Sequence, residues 1–178
     1  ANDLLGASHI ILPGVGVFAD CVQGIKSRER LFEEINNQVL ELKKPFLGIC
    51  AGMQVLADVG YEKGATKGLG FISGEVRDIS ETKGFDVKKY KIPQIGWNNL
   101  QIKQDHFLLE GVESDIDVYF ANSYRFIAKE ECSLVASVDY GDQEVAAIVV
   151  KENILGIQFH PEKSGEAGLK ILRNFILS

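Results

Sequence analysis

The stretch Lys44-Pro45-Phe46-Leu47-Gly48-Ile49-Cys50-Ala51-Gly52-Met53-Gln54 constrains this chain more than any other. An apolar run of strand length ends on a cysteine held between two glycines, in the spacing G-x-C-x-G. With serine at the centre, that spacing marks a turn from a buried strand into a helix, so sharp that only glycine fits on either side. A cysteine there gains twice: the helix N-terminus stabilises a thiolate, and the backbone N–H groups of the turn can hold an oxyanion. Read by itself, Cys50 is equally a small buried hydrophobe at a strand end. The rest of the chain has to decide.

Upstream, His9-Ile10-Ile11-Leu12 reads as a short buried parallel strand, ended by Pro13-Gly14-Val15-Gly16. Glycines just past a strand leave backbone N–H groups free to turn towards a ligand, although a plain turn has the same composition. Residues 1–8 are small and polar with weak helical character, and Leu31, Ile35, Val39 and Leu42 stand near helical spacing in a mostly helical segment from Val17 to Leu42. The pattern predicts a strand over 45–49, then a helix over 51–59 capped by Gly60. Strand, glycine turn and helix, repeated, is the grammar of an α/β fold with a flavodoxin-like, doubly wound, mostly parallel sheet, whose ligand sites gather beyond the C-terminal strand ends.

The middle reads as a meander with an exposed edge: glycines are frequent over 64–84, residues 75–79 form a short strand, and Tyr90–Ile92 leads into Pro93-Gln94-Ile95-Gly96-Trp97-Asn98. Trp97 is either core or the rim of an interface. Further strands are expected over 117–120, 134–138, 145–150 and 154–159, with Tyr140-Gly141-Asp142 and Lys151-Glu152-Asn153 as tight connections and Leu169, Leu172, Phe175 and Ile176 marking a closing helix. A length of 178 residues suits one well-buried domain and not two of ordinary size, so 1–178 is read as a single domain.

A net charge of -6 argues against a nucleic-acid-binding face. Cys21, Cys50 and Cys132 are widely spaced without a C-x-x-C, which suggests neither a disulfide framework nor a zinc site, and no metal or cofactor is expected. No apolar run approaches the roughly 18 residues of a membrane span, and the expected location is cytoplasmic.

The strand over 154–159 runs into His160-Pro161-Glu162-Lys163-Ser164. Proline holds the residue before it extended, and positions two apart in an extended chain project to the same side, so Glu162 can reach back to the ring of His160. A carboxylate on one imidazole nitrogen, with the other free to take a thiol proton, is the logic of a Cys-His-acid triad. His9 at a strand start and His106 in a charged loop beside Asp105 read as structural or solvated. The Gly14-Val15-Gly16 loop, Cys50 and His160 each follow a predicted strand, and a parallel sheet brings such ends together.

These segments resemble the class I (triad) glutamine amidotransferases over essentially the whole chain. Within that family, Leu12 to Phe18, Pro45 to Gln54, Ile95 to Asn98 and Gln158 to Ser164 are similar to the glutaminase subunits of imidazole glycerol phosphate synthases, with Gly-Trp-Asn and His-Pro-Glu-Lys-Ser the specific part. The resemblance implies that Cys50 attacks the carboxamide of L-glutamine, His160 protonates the departing ammonia and then activates water, and Glu162 orients His160. It implies oxyanion donors at the amides of Val15 and Ala51, with a peptide flip at Gly14-Val15, and a glutamine site at Gly16, Gln54, Ser123 and Tyr124. It further implies that Trp97, Asn98, Tyr119 and Lys163 face a separate (β/α)₈-barrel cyclase, in a heterodimer that uses the ammonia for histidine biosynthesis. The same resemblance admits a related glutaminase serving surface-sugar synthesis, or a non-catalytic remnant.

Two departures stand out. Where family members often have Phe-Val-His-Ser-Tyr, this chain has Phe120-Ala121-Asn122-Ser123-Tyr124. The family normally opens with a strand, a helix and a strand before the Ile-Leu-Pro-Gly segment, which here follows almost at once on Ala1. The expectation is an N-terminally truncated domain with a raw apolar edge at the strand over 9–12, prone to self-association.

Overall fold

In the computed structural model, which describes residues 2–28 and 30–178, the elements follow in the order α1 (Asn2–Gly6), β1 (Ile10–Gly14), α2 (Phe18–Lys26), α3 (Leu31–Asn36), β2 (Phe46–Cys50) and α4 (Ala51–Gln54). The expected helical character at Ala1 and at Glu29 lies outside the described residues. There follow β3 (Val59–Gly60), β4 (Thr66–Lys67), β5 (Gly74–Asp78), β6 (Gln94–Ile102), β7 (Ile116–Asn122) and β8 (Tyr124–Ala128). The chain ends with β9 (Leu134–Asp139), β10 (Glu144–Lys151), β11 (Ile154–Ile157) and α5 (Gly165–Ile176).

Seven strands form one sheet in the order β1-β2-β11-β10-β9-β6-β7, and β4-β3-β5-β8 form a smaller second sheet. Adjacent residues of the central strands feed opposite cores. Phe46 and Ile154 pack with Phe18, Val22, Ile35 and Met53 from α2, α3 and α4, while Leu47 and Leu155 pack with Ile171 and Phe175 from α5. Helices therefore cover both faces, as the doubly wound reading requires, and strands buried on both sides explain the unbroken apolar runs.

The sheet is mixed rather than mostly parallel. The parallel pairings are β1 with β2 and β2 with β11, whereas β11 with β10, β10 with β9, β9 with β6 and β6 with β7 are antiparallel. The tight connections at 140–143 and 152–153 account for two of these, β10 with β9 and β11 with β10, because such short links join only antiparallel neighbours. Asp142 and Glu152 take left-handed backbone angles in them, with φ of 57° and 53°.

Two other expectations need correction. The helix behind Cys50 is one turn, not a run to Val59 with Gly60 as its cap, and Gly60 lies in β3. The carbonyls that would propagate it are taken by another segment: Leu69 N–H donates to Val55 O, Phe71 and Ile72 N–H to Leu56 O, Gly70 N–H to Ala57 O and Gly68 N–H to Asp58 O. The long helical segment over 17–42 is broken near residue 30, where Arg30 has φ 67°, and its last turn, 37–41, is wound as a π-helix. Strand β6 continues the segment the sequence showed only as a meander, and β8 is not among the expected strands.

Candidate active site

The C-terminal ends of β1 and β2 and the segment after β11 converge on one cleft, lined among others by Val15, Gly16, Cys50, Ala51, Gln54, Asn122, Ser123, Tyr124, His160 and Lys163. Its volume of about 490 Å³ is that of a small-molecule site. Cys50 is the hinge between β2 and α4, with φ 54° and ψ -114°, a conformation that side chains rarely adopt.

The glycines around Cys50 explain how the turn is held. A Cβ on Gly52 would lie 1.9 Å from Leu12 O, one on Gly48 2.4 Å from Gly52 O, and one on Gly14 2.6 Å from Gly52 N. Strand β1, strand β2 and the elbow turn are thus in backbone-to-backbone contact, which only residues without a side chain permit. Gly16, with φ 114°, turns the next loop over the cleft.

Cys50 is buried, and that burial pushes its thiol pKa up. The Ala51 backbone N–H opposes this by hydrogen bonding to the sulfur, while the Glu162 charge adds to the rise and Lys163 lessens it. The resting group is therefore a thiol that needs a base. His160, 8% exposed, shares the cleft, and its Nδ1 is paired with Glu162 Oε1 at 2.8 Å. That pairing leaves Nε2 as the ring atom free to exchange a proton. The backbone of His160 is fixed as well, because its N–H donates to Tyr119 O at 2.8 Å and its carbonyl accepts from Ser164 Oγ at 2.7 Å.

Sequence reasoning assigned Gln54 to the glutamine site. It lines the cleft and its Nε2 donates to Tyr124 O at 3.1 Å and to Gln158 Oε1 at 2.9 Å. Gln158 had no expected role, yet its Nε2 lies 3.8 Å from Cys50 Sγ. Its signal was available: a glutamine two residues before His160, at the end of an apolar run, is a polar group that needs a partner if buried, and Gln158 is fully buried. Glu62 also lines the cleft, with Oε2 accepting from Phe18 N–H at 2.7 Å, and no local pattern announced it. His9 packs edge-on against Phe175, and His106 caps a short turn through Leu108 N–H, so neither belongs to the cleft.

Trp97, Tyr119 and Lys163 form one surface. Trp97 is 55% exposed, its ring stands edge-on to Tyr119 at 5.8 Å, and Lys163 Nζ lies 5.8 Å from the Tyr119 ring. Asn98 follows on the opposite face of β6, half-buried. Trp97 is therefore not core. Among the described residues, no group of three His, Cys, Asp or Glu is arranged to hold a metal, and no helix is long and apolar enough to cross a membrane.

A mixed α/β sheet that carries a cysteine on a glycine-locked elbow, in one cleft with a His–Glu pair, defines a class of thiol-centred α/β domains. The chain belongs to the class-I glutamine amidotransferase family, whose model matches residues 4–178. It is 42% identical over 175 residues to the imidazole glycerol phosphate synthase subunit HisH of Pelagibacter ubique, covering 98% of this chain and 82% of that protein. The HisH subunit of Rhodospirillum rubrum is 44% identical over 174 residues, covering 97% and 79%. Among solved structures, PurLQS from Thermotoga maritima superposes with a TM-score of 0.70 at 23% identity, over 96% of this chain and 79% of that one, a likeness of fold.

Proposed function

We propose that this chain is the glutaminase subunit of an imidazole glycerol phosphate synthase, hydrolysing glutamine and passing ammonia to a cyclase for histidine biosynthesis. The observation that carries the reading is the His160 Nδ1–Glu162 Oε1 pair at 2.8 Å on the same cleft as the elbow cysteine. Near-full-length identity of 42–44% to HisH subunits supports the choice of client over surface-sugar amidotransfer.

In this reading His160 Nε2 takes the Cys50 proton, and the sulfur attacks the carboxamide carbon of glutamine. The oxyanion is held by the N–H groups of Ala51 and Val15, the glycines at 14 and 16 leaving the Val15 peptide free to turn towards it. His160 returns the proton to the nitrogen as the C–N bond breaks, and ammonia leaves a glutamyl thioester. Water, deprotonated by His160, cleaves the thioester to glutamate and restores the thiol. Glu162 holds the ring orientation and stabilises the imidazolium.

Gly16, Gln54, Ser123 and Tyr124 line the space for the amino-acid end of the substrate, and Glu62, the carboxylate on the cleft wall, is the counter-charge for its α-ammonium. Trp97, Asn98, Tyr119 and Lys163 form the docking face for a (β/α)₈ cyclase. An exposed tryptophan beside a tyrosine and a lysine has the composition of an interface anchor. The test is glutamine hydrolysis by the chain with and without a cyclase subunit of this kind. Stimulation by the cyclase, abolished by Cys50→Ala, is expected; unstimulated hydrolysis that survives Cys50→Ala refutes the assignment.

A further inference from the structure

Two buried carboxamides beside the cleft have, among the described residues, no donor for their oxygens. Gln94, 0% exposed, donates from Nε2 to Asn98 Oδ1 at 2.9 Å, and its Oε1 meets no donor. Asn122, 5% exposed and on the cleft wall, donates from Nδ2 to Tyr124 O at 3.0 Å, and its Oδ1 is likewise unpaired. These two residues are direct partners across the β6–β7 ladder. Side chains opposite one another in an antiparallel pair share a face, with Cβ atoms roughly 5 Å apart. The two orphaned oxygens thus belong to neighbouring side chains, and each is destabilising as it stands.

One rearrangement satisfies both. A carboxamide is nearly symmetric in shape, so a half turn about its last torsion exchanges oxygen and nitrogen without disturbing the packing. If Gln94 and Asn98 both turn, Asn98 Nδ2 donates to Gln94 Oε1, and Gln94 Nε2 becomes free to donate to Asn122 Oδ1. The line then continues through contacts already present. Tyr124 O accepts from both Asn122 Nδ2 and Gln54 Nε2, Gln54 Nε2 donates to Gln158 Oε1, and Gln158 Nε2 faces Cys50 Sγ.

We propose that Gln94 and Asn122 are positioning residues for Cys50, joined to it by a reversible chain of amides that begins at Asn98. In the turned state Asn98 Oδ1 is left without its Gln94 donor. Asn98 is half-buried and its chain neighbour is the exposed Trp97, so a hydrogen-bond donor from a docked partner at Asn98 favours that state further. The partner half of this statement rests on the docking face proposed above; the chain from Gln94 to Cys50 does not.

The test uses Gln94→Met and Asn122→Leu, near-isosteric changes that delete an orphaned oxygen, together with the double variant. Cys50 alkylation by iodoacetamide is followed by peptide mass spectrometry across pH 7 to 10, alongside urea unfolding and the kcat and KM for glutamine. Each single variant is expected to slow Cys50 alkylation by about tenfold, the scale of one buried hydrogen bond, and to move its pH profile upward, while urea unfolding shows the protein still folded. The double variant is expected to be no slower than either single one, because both break the same chain. Asn122→His, which restores a ring nitrogen acceptor, should recover the rate. Should a variant fail to fold, Gln94→Asn, which shortens the amide but keeps it, reads the same link. Unchanged alkylation, or losses that multiply in the double variant, overturns the proposal. A wild-type chain that hydrolyses no glutamine even with a cyclase subunit present, but whose Cys50 responds as described, overturns the glutaminase reading and leaves the amide chain standing.

Discussion

Gly52→Ala adds one methyl group at the tightest point of the fold. Its Cβ would lie 1.9 Å from Leu12 O and 3.0 Å from Leu12 C, both backbone atoms, so strand β1 has to retreat by roughly 1.5 Å to regain ordinary contact. There is no slack to absorb this, because Gly14 and Gly48 press on the same turn and β1 is bound to β2 over five residue pairs from Ile10–Phe46 to Gly14–Cys50. Overpacking of this kind costs about 1–3 kcal/mol or more, and the better helix propensity of alanine offsets about 1 kcal/mol of it. A net loss of about 2 kcal/mol in urea unfolding is expected. Activity should fall further than stability. Leu12 leads directly to Gly14 and Val15, and a misplacement of about 1 Å at reacting groups costs on the order of a hundredfold in rate. Gly24→Ala is the control, since that glycine sits in the exposed middle of α2 with nothing near its Cβ, and it should gain about 0.5–1 kcal/mol. A Gly52→Ala protein with wild-type stability and wild-type glutamine hydrolysis would refute the interlocked-glycine account.

Cys50→Gly should be more stable than Cys50→Ala by about 1 kcal/mol in thermal or urea unfolding, because only glycine accepts φ 54°, ψ -114° without strain; equal stabilities would mean the turn stores no strain. Burial raises the thiol pKa of Cys50, so below that raised value the group stays protonated in the free protein. Its alkylation by iodoacetamide should therefore be slower than that of free cysteine at pH 7–8 and should climb only at more alkaline pH; a plateau already reached at neutral pH would show the reverse sign.

Much of the site could be read from residue types and spacing. Glycine at positions 14, 48 and 52 signals backbone contact wherever it flanks a strand end, and proline at 161 fixes the reach of Glu162 towards His160. What escaped was non-local. The helix after Cys50 looks long because its residues favour helix, but the loop over 68–72 claims its carbonyls. Sheet direction was misjudged although the two-residue link at 152–153 already dictated an antiparallel pair. Glu62 is brought to the cleft by bonding to the first turn of α2, 44 residues away along the chain, and no window of sequence contains that contact. Trp97 could not be decided either way, because its exposure depends on which face of β6 the ladder with β7 leaves outside.

The central claim is that the sulfur at position 50 and the imidazole at position 160 work on one amino-acid substrate. Incubation with a diazo-ketone analogue of glutamine, read by mass spectrometry, tests this most directly, since labelling requires both a reactive sulfur and a shaped site for the amino-acid end. The account predicts one label per chain on Cys50, protection by L-glutamine, and labelling slowed by at least about tenfold in His160→Ala. Labelling spread over Cys21 and Cys132, or labelling of Cys50 that neither glutamine nor loss of His160 affects, would contradict it.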